Sequence, residues 1–418
     1  MTSRLRDERT APRIGIIGAG LVGLATARSI SIWPARPEVL VFEAEPEVAR
    51  HQSSHNSGVV HSGVNYVPGS LKARLCRQGR AELLRFIESH HVPYRETGKL
   101  VVAPTSAEIA TLDEIQHRAA LNGVEATRLA TPEEIHDIEP SCGGLEALHV
   151  PSTGFVDYAV VARALARDIE SEGGRIMLEW PVVGAERTAH GFRLTNGREA
   201  ETVDLAIACT GVESDRMAHL FGFDPGVRII PFRGEFFRFR ETAGTHVRSA
   251  IYRTPNLRLP FAGIHFTRRI SQEVFVGPNA VLAFARDGYR RGQVRLRDLA
   301  ESAGYPGFWR MAREHWRIAL GEEWQSRVRP VMVDVARALV PKVGERDFER
   351  EGSGVRARAV AQNGKLLDDF LVRFEGRSVH VLNAPSPAAT SCLALGREIA
   401  ELARERLGPA AGGPMAAS

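Results

Sequence analysis

Cysteine is scarce in this chain of 418 residues. Cys76, Cys142, Cys209 and Cys392 are the four present, and no two stand in a CxxC pair. A disulfide framework or a zinc site of that kind is therefore not expected, and a reducing, cytoplasmic setting is. No apolar run approaches the length of about 18 residues that a spanning helix needs. The polar stretch Met1–Pro12 lacks the apolar core of a secretory signal. Charge of one sign is not concentrated either: 54 Lys and Arg against 50 Asp and Glu leave a net +4. The arginines are dispersed, so nucleic acid is a poor partner, and a small anionic ligand accounts for the mild basic bias as well. There is no internal repeat and no low-complexity block.

What is present reads as a globular α/β chain, with 44% hydrophobic and 25% charged residues. The length fits two or three domains, or one large unit with an insertion. Ile14–Ile17 is a short apolar run that enters Gly18-Ala19-Gly20. Leu21–Ile30 then has helical composition, Trp33–Pro37 breaks it, and Val39–Phe42 forms a second strand ending at Glu43. Asp204–Cys209 and Ser378–Leu382 have the same buried-strand pattern. The first runs into Thr210-Gly211, the second into a Pro-containing loop and a helix over Ala388–Leu407. Between these segments Arg228–Arg240 and Glu273–Gly277 are β-like. Leu296–Glu314 and Arg317–Ser326 are helical, the second interrupted by Gly321. The fold class expected is α/β plus α+β: a Rossmann-like nucleotide unit assembled from separated segments, with an inserted, mostly antiparallel sheet domain. The boundaries are 13–90, 150–220 and 350–407 for the nucleotide unit and 91–149 and 221–349 for the second. Residues 1–12 and 408–418 are expected to be disordered ends.

The first chemical motif is Gly18-x-Gly20-x-x-Gly23, placed after a strand and opening a helix, with Glu43 twenty residues beyond its last glycine. Gly18 makes the tight turn, Gly20 lets a pyrophosphate approach the backbone, and Gly23 lets the helix pack on the strand. The helix N-terminus offers free N–H groups to phosphate, and Glu43 can accept ribose hydroxyls. The motif alone does not choose between NAD and FAD. The polar segment from His51 to Gly63 suits an enzyme that holds a flavin through a second stretch of its own chain. Its histidines, His51, His55 and His61, have no carboxylate or cysteine at ligand spacing, so no metal is expected.

At this point a resemblance becomes specific. HNSGVVHSGVNY, PGSLKARLC, PFRGEFF, VGPNAVLAFARDGY, GVRARAV, GKLLDDF and NAPSPAATS resemble the L-2-hydroxyglutarate oxidase/dehydrogenase family, a branch of the glycine-oxidase and D-amino-acid-oxidase-like flavoproteins. The match runs from about Ile14 to about Leu407. The resemblance implies FAD, a two-domain fold, and oxidation of a 2-hydroxy dicarboxylate to the 2-oxo acid by hydride transfer from Cα to flavin N5. It assigns Gly18, Gly20, Gly23 and Glu43 to the FAD fingerprint. Ser54, His55, Asn56, Ser57 and Gly58 fall to the pyrophosphate and flavin, and a strand-like segment at Val182 to the adenine. Thr210 and Gly211 form the turn beneath the cofactor. Ser386, Ala388, Ala389 and Thr390 form the loop and helix start at the isoalloxazine edge.

The hydroxyl proton needs a base. His61 is the first candidate and His265 the second; a structural or flavin-bonding role is the alternative for His61. Substrate carboxylates call for cations, and Arg233 and Arg356 match family positions. Both could instead be held in ion pairs with Glu235, Asp368 or Asp369. Lys365 is a further candidate, or a solvated turn residue. Tyr66 is a hydrogen-bonding candidate, or a pocket wall. The chain departs from the family where a Tyr commonly stands at Asn65 and at Phe236, and over Pro255–Pro260, where Asn256–Arg258 adds a positive charge. These departures leave room for an amine or amino-acid oxidase, or for a relative acting on a modified hydroxy acid. A flavin-binding protein without turnover is a third reading. O2 or a quinone would take the electrons. Arg286 through Arg297 with Phe308, Trp309 and Trp316 fits a membrane-surface patch or a solvated helical hairpin with core aromatics. Cys209 and Cys392, near motif ends, read as space-filling rather than as sites of covalent flavin attachment.

Overall fold

The computed structural model describes residues 11–242, 244–257 and 263–407. Of the disordered ends expected at 1–12 and 408–418, residues 1–10 and 408–418 lie outside them, as does the charge expected at Arg258; Pro12 is placed, its carbonyl accepting from the Glu38 N–H at 2.9 Å. β1 (Arg13–Ile17) runs parallel to β2 (Glu38–Phe42), with Ile14 beside Val39 and Ile17 beside Phe42. Its other neighbour is the parallel strand Leu205–Ala208, which in turn lies beside Ser378–Asn383. Arg175–Met177 and Leu371–Glu375 close the two edges of this six-stranded sheet, the latter antiparallel. The inner strands are apolar without alternation because both faces are covered. Helix α1 (Leu21–Ser31) and the helix Ala388–Leu407 share one apolar cluster on one face. On the other face Phe42, Trp180, Phe192 and Leu194 pack beneath a small antiparallel sheet of residues 184–187, 192–195 and 200–203.

The second unit is a nine-stranded sheet, antiparallel except where Ala250–Arg253 lies parallel to Lys99–Ala103. Its longest strands, Val227–Phe239 and Phe348–Ala361, pair from Val227 beside Ala361 to Phe239 beside Phe348, with one register shift between Phe236 and Phe237. A boundary at residue 350 therefore cuts a strand that belongs to the second unit. A strand of buried apolar residues reads alike in either sheet, and its partner is not visible locally. Likewise Tyr94–Glu96 pairs with Gly154–Val156, beside Val59–Val60, in a small sheet of its own.

Two further expectations are corrected. The helices are Leu296–Ala303 and Pro306–Arg327, so the break falls at Gly304-Tyr305 rather than near residue 315. Pro306 starts the second helix at a position where its missing N–H costs nothing. Gly321 does not interrupt it: one interior glycine costs only about 1 kcal/mol. Val182 is not in a strand; it lies in the irregular stretch between Arg175–Met177 and Gly184–Arg187.

Candidate active site

A cavity of about 880 Å³ runs between the two units. Its first end is built on the β1–α1 turn. Gly18 has φ +100°, and a Cβ there would lie 2.6 Å from the Cys209 carbonyl oxygen. A Cβ on Gly23 would lie 1.9 Å from the Gly18 carbonyl oxygen, whereas one on Gly20 would meet only Ser53 Oγ at 3.1 Å and otherwise project into open space. The backbone is thus laid bare where a pyrophosphate would sit. Glu43 directly follows β2, and its carboxylate accepts from the Ala19 N–H at 2.7 Å and the Glu45 N–H at 3.0 Å, which ties it to the glycine turn. Val182, Thr210 and Gly211 line the same end. His55, Asn56 and Ser57 line the cavity along the following loop, held by Asn56, which donates to the Ser53 carbonyl and accepts from the Gly58 N–H. The bare turn and the anchored acid fit FAD.

The loop and helix start at Ser386, Ala388 and Ala389 mark the middle of the cavity. His61 faces it, with Nε2 3.3 Å from Ser386 Oγ. Its backbone is fixed twice: its N–H donates to Thr390 Oγ1 at 3.0 Å, and its carbonyl accepts from Cys76 Sγ. Burial first, then the charges of Lys99, His265 and Lys72, push its pKa down to about 3. His265 comes from the second sheet. It stacks on Tyr252 with ring centroids 3.9 Å apart, and Nδ1 lies 3.0 Å from the Gly263 carbonyl. A carbonyl only accepts, so Nδ1 carries the proton and Nε2 presents a lone pair. Burial pushes the His265 pKa down to about 3 as well.

Beyond the histidines the cavity is strongly cationic. Lys72, Lys99, Arg356 and Arg358 line it; Asp368 accepts from Lys72 Nζ at 2.7 Å, Asp369 also acts on Lys72, and Glu322 acts on Arg356. Burial lowers the pKa of Arg356 and of Arg358 to about 10, so both remain charged at neutral pH. Arg356 donates to the Asn279 carbonyl. Tyr66 forms part of the wall, and burial raises its hydroxyl pKa well above the ordinary value.

The family model for FAD-dependent oxidoreductases (DAO) matches residues 13–402. The chain belongs to the DAO family of FAD-dependent oxidoreductases. Within the family it is 41% identical to an L-2-hydroxyglutarate dehydrogenase of Indibacter alkaliphilus, over 94% of this chain and 98% of that protein. It is 38% identical to the mitochondrial L-2-hydroxyglutarate dehydrogenase of Mus musculus, over 93% and 88%. Among solved structures, an L-α-glycerophosphate oxidase of Mycoplasma pneumoniae with FAD bound superposes with a TM-score of 0.76 at 19% identity, over 94% of each chain. A glycine oxidase of Geobacillus kaustophilus gives 0.70 at 17% identity, over 94% and 95%.

Against this DAO architecture, the candidates separate. His61, His265, Arg356 and Tyr66 meet in one cavity, as do most of the cofactor candidates. Gly23, Ser54, Gly58 and Thr390 do not line it. Gly23 packs on the Gly18 backbone, and Gly58 packs against the Val156 carbonyl with φ +74°. Ser54 is exposed, and Thr390 positions His61 from behind. Arg233 is not a cavity residue. It is buried against Glu235, which Arg291 also holds. Strand alternation explains this: Gly234 and Phe236 take the cavity face, so Arg233 and Glu235 take the other. Lys365 is exposed on the turn after Phe348–Ala361, its N–H bonded to Asn363. Lys72, Lys99, Tyr252 and Arg358 were not anticipated. Arg358 was readable from the two-residue spacing to Arg356; Lys99 was not, because a lysine opening an apolar strand ordinarily lies at a wet edge. All four cysteines are free. Among the described residues no helix is long and apolar enough to cross a membrane.

Proposed function

We propose that this enzyme oxidises L-2-hydroxyglutarate to 2-oxoglutarate. The observation that carries this reading is the cluster of Lys72, Lys99, Arg356 and Arg358 beside two neutral histidines, four cations that Asp368, Asp369 and Glu322 offset only in part. Such a site repays the desolvation of a substrate with two carboxylates. It opposes an amino-acid substrate, whose ammonium group would be brought up against the same cations. When bound, FAD supplies the two-electron acceptor for the hydride on the carbinol carbon. His61 holds the proton of the hydroxyl at Nε2, which burial keeps neutral and therefore able to receive it. His265 offers a second lone pair and is the alternative. Arg356 takes the carboxylate distant from the reacting carbon, and Tyr66 closes the wall around the chain of the substrate.

Charge-assisted hydrogen bonds are worth roughly 1.5–3 kcal/mol each, about 10- to 150-fold. L-2-Hydroxyglutarate should therefore exceed L-2-hydroxybutyrate, which lacks the second carboxylate, by at least about tenfold in kcat/KM. Equal values would show that the cationic cluster serves the fold and not the substrate.

For the electron acceptor we propose a quinone reached at an anionic membrane surface. On the helix Pro306–Arg327, Trp309, Trp316, Leu320 and Trp324 recur on one side at helical spacing and are 52–61% exposed. Arg310, Arg313, Arg317 and Arg327 stand among them. Exposed tryptophan with interspersed arginine fits the headgroup region of anionic lipid. The protein should sediment with phosphatidylglycerol vesicles and not with phosphatidylcholine vesicles, and Trp316→Ala with Trp324→Ala should release it. Equal sedimentation with both lipids, or retention by the double variant, would remove this helix from the role.

A further inference from the structure

The strand Lys99–Ala103 is buried at every position, and Lys99 itself is 5% exposed. It sits inside the second sheet, with Val150 and Ala250 in register on either side. Its side chain lines the cavity on the face that also carries Val101, Tyr252 and His265. Tyr252 is paired with Val101 on one side and with His265 on the other, so the three strands bring the lysine, the tyrosine and the histidine together. The Lys99 ammonium lies 5.2 Å from the centroid of the Tyr252 ring. Among the described residues no Asp or Glu pairs with it. The other titratable groups around it are Cys76, from the helix Leu71–Ser89, together with His61 and His265. None of these supplies a negative charge, since burial raises the Cys76 pKa to about 12.

A buried cation supported by one aromatic face is costly. The cost is repaid when an anion arrives. On the reading above that anion is a substrate carboxylate, and this inference rests on that reading. We propose that Lys99 receives the carboxylate bonded to the reacting carbon, leaving Arg356 and Arg358 to the distant one. The reason is position. The charge of Lys99 acts on both His61 and His265, and the carboxylate nearest the hydroxyl must sit beside whichever histidine takes its proton. A consequence follows for the base. In the free enzyme Lys99 helps to keep both imidazoles from holding a proton. A carboxylate on Lys99 cancels that field and makes the imidazole a better acceptor when substrate is present.

The test uses the FAD-loaded enzyme with Lys99→Met and Lys99→Arg. Binding of glutarate, which has both carboxylates and no hydroxyl to oxidise, is followed through the flavin absorbance. K99M should weaken glutarate at least about tenfold. It should raise KM for L-2-hydroxyglutarate and L-2-hydroxybutyrate by the same factor, because both carry the nearer carboxylate. It should also move the acid limb of flavin reduction to higher pH and raise Tm, since an unpaired buried charge has been removed. K99R should restore glutarate binding. Unchanged glutarate affinity in K99M, or a lowered Tm with an unmoved acid limb, would overturn the proposal and make Lys99 structural. If K99M does not fold, loss of glutarate binding in K99R would overturn it equally. Wild-type enzyme that L-2-hydroxyglutarate cannot reduce would instead defeat the functional reading itself.

Discussion

His61→Ala is expected to slow reduction of the bound flavin by L-2-hydroxyglutarate about 10²- to 10⁴-fold, the usual range for loss of a positioned base. FAD content should not change, because His61 is held by backbone bonds to Thr390 and Cys76 that the substitution leaves in place. The pH dependence is a second part of the same prediction. A histidine pushed down to about 3 is protonated only below that value. Reduction should therefore stay level as pH falls through 6.5, where an ordinary histidine would lose its lone pair. A fall centred near 6.5 would show that the base is not a buried histidine of this kind. Collapse in His265→Ala with normal reduction in His61→Ala would exchange the two roles, which the lone pair on His265 Nε2 permits.

Gly23→Ala should leave the purified protein without FAD and less stable. The added Cβ would meet the Gly18 carbonyl oxygen at 1.9 Å, and neither the backbone oxygen nor a Cβ fixed by its own backbone can rotate away. α1 must then move off β1, at an overpacking cost of about 1–3 kcal/mol. Gly20→Ala is the informative contrast. Its Cβ meets a single hydroxyl, Ser53 Oγ at 3.1 Å, so Tm of the FAD-free protein should match wild type. FAD affinity should still fall, because the methyl occupies the approach of the pyrophosphate to the backbone. A similar range of about 1–3 kcal/mol gives about 5- to 150-fold. Full FAD content and wild-type Tm in Gly23→Ala would contradict the packing argument, and unchanged affinity in Gly20→Ala would move the pyrophosphate elsewhere.

The nucleotide unit was legible because several local signals coincide there. The apolar run at Ile14–Ile17, the glycine spacing, the helix and the acid at Glu43 all require one another, and the strands after residues 204 and 378 repeat the run-then-turn pattern. The second unit was legible only as β-rich. The pairing of Val227–Phe239 with Phe348–Ala361 spans over a hundred residues of chain, and nothing within either strand announces it. The site shows the same divide. Arg356 and Arg233 are both arginines in long β-strands, yet one faces the cavity and the other a buried glutamate. Which face of a strand looks into a cavity depends on what packs on it, so the distinction is a tertiary one. Lys99 was missed for the same reason. Its burial comes from the strands on either side and from Tyr252, not from its own neighbours in the chain.

The central claim is that a bound flavin takes electrons from an L-2-hydroxy dicarboxylate. The most direct measurement mixes the FAD-loaded enzyme anaerobically with L-2-hydroxyglutarate and follows the flavin absorbance, with D-2-hydroxyglutarate and a set of amino acids run beside it. Rapid bleaching by the L-acid alone, with 2-oxoglutarate formed in equal amount to the flavin reduced, is the predicted result. Bleaching by an amino acid, with none by L-2-hydroxyglutarate, would contradict the account and return the cationic cavity to a different substrate.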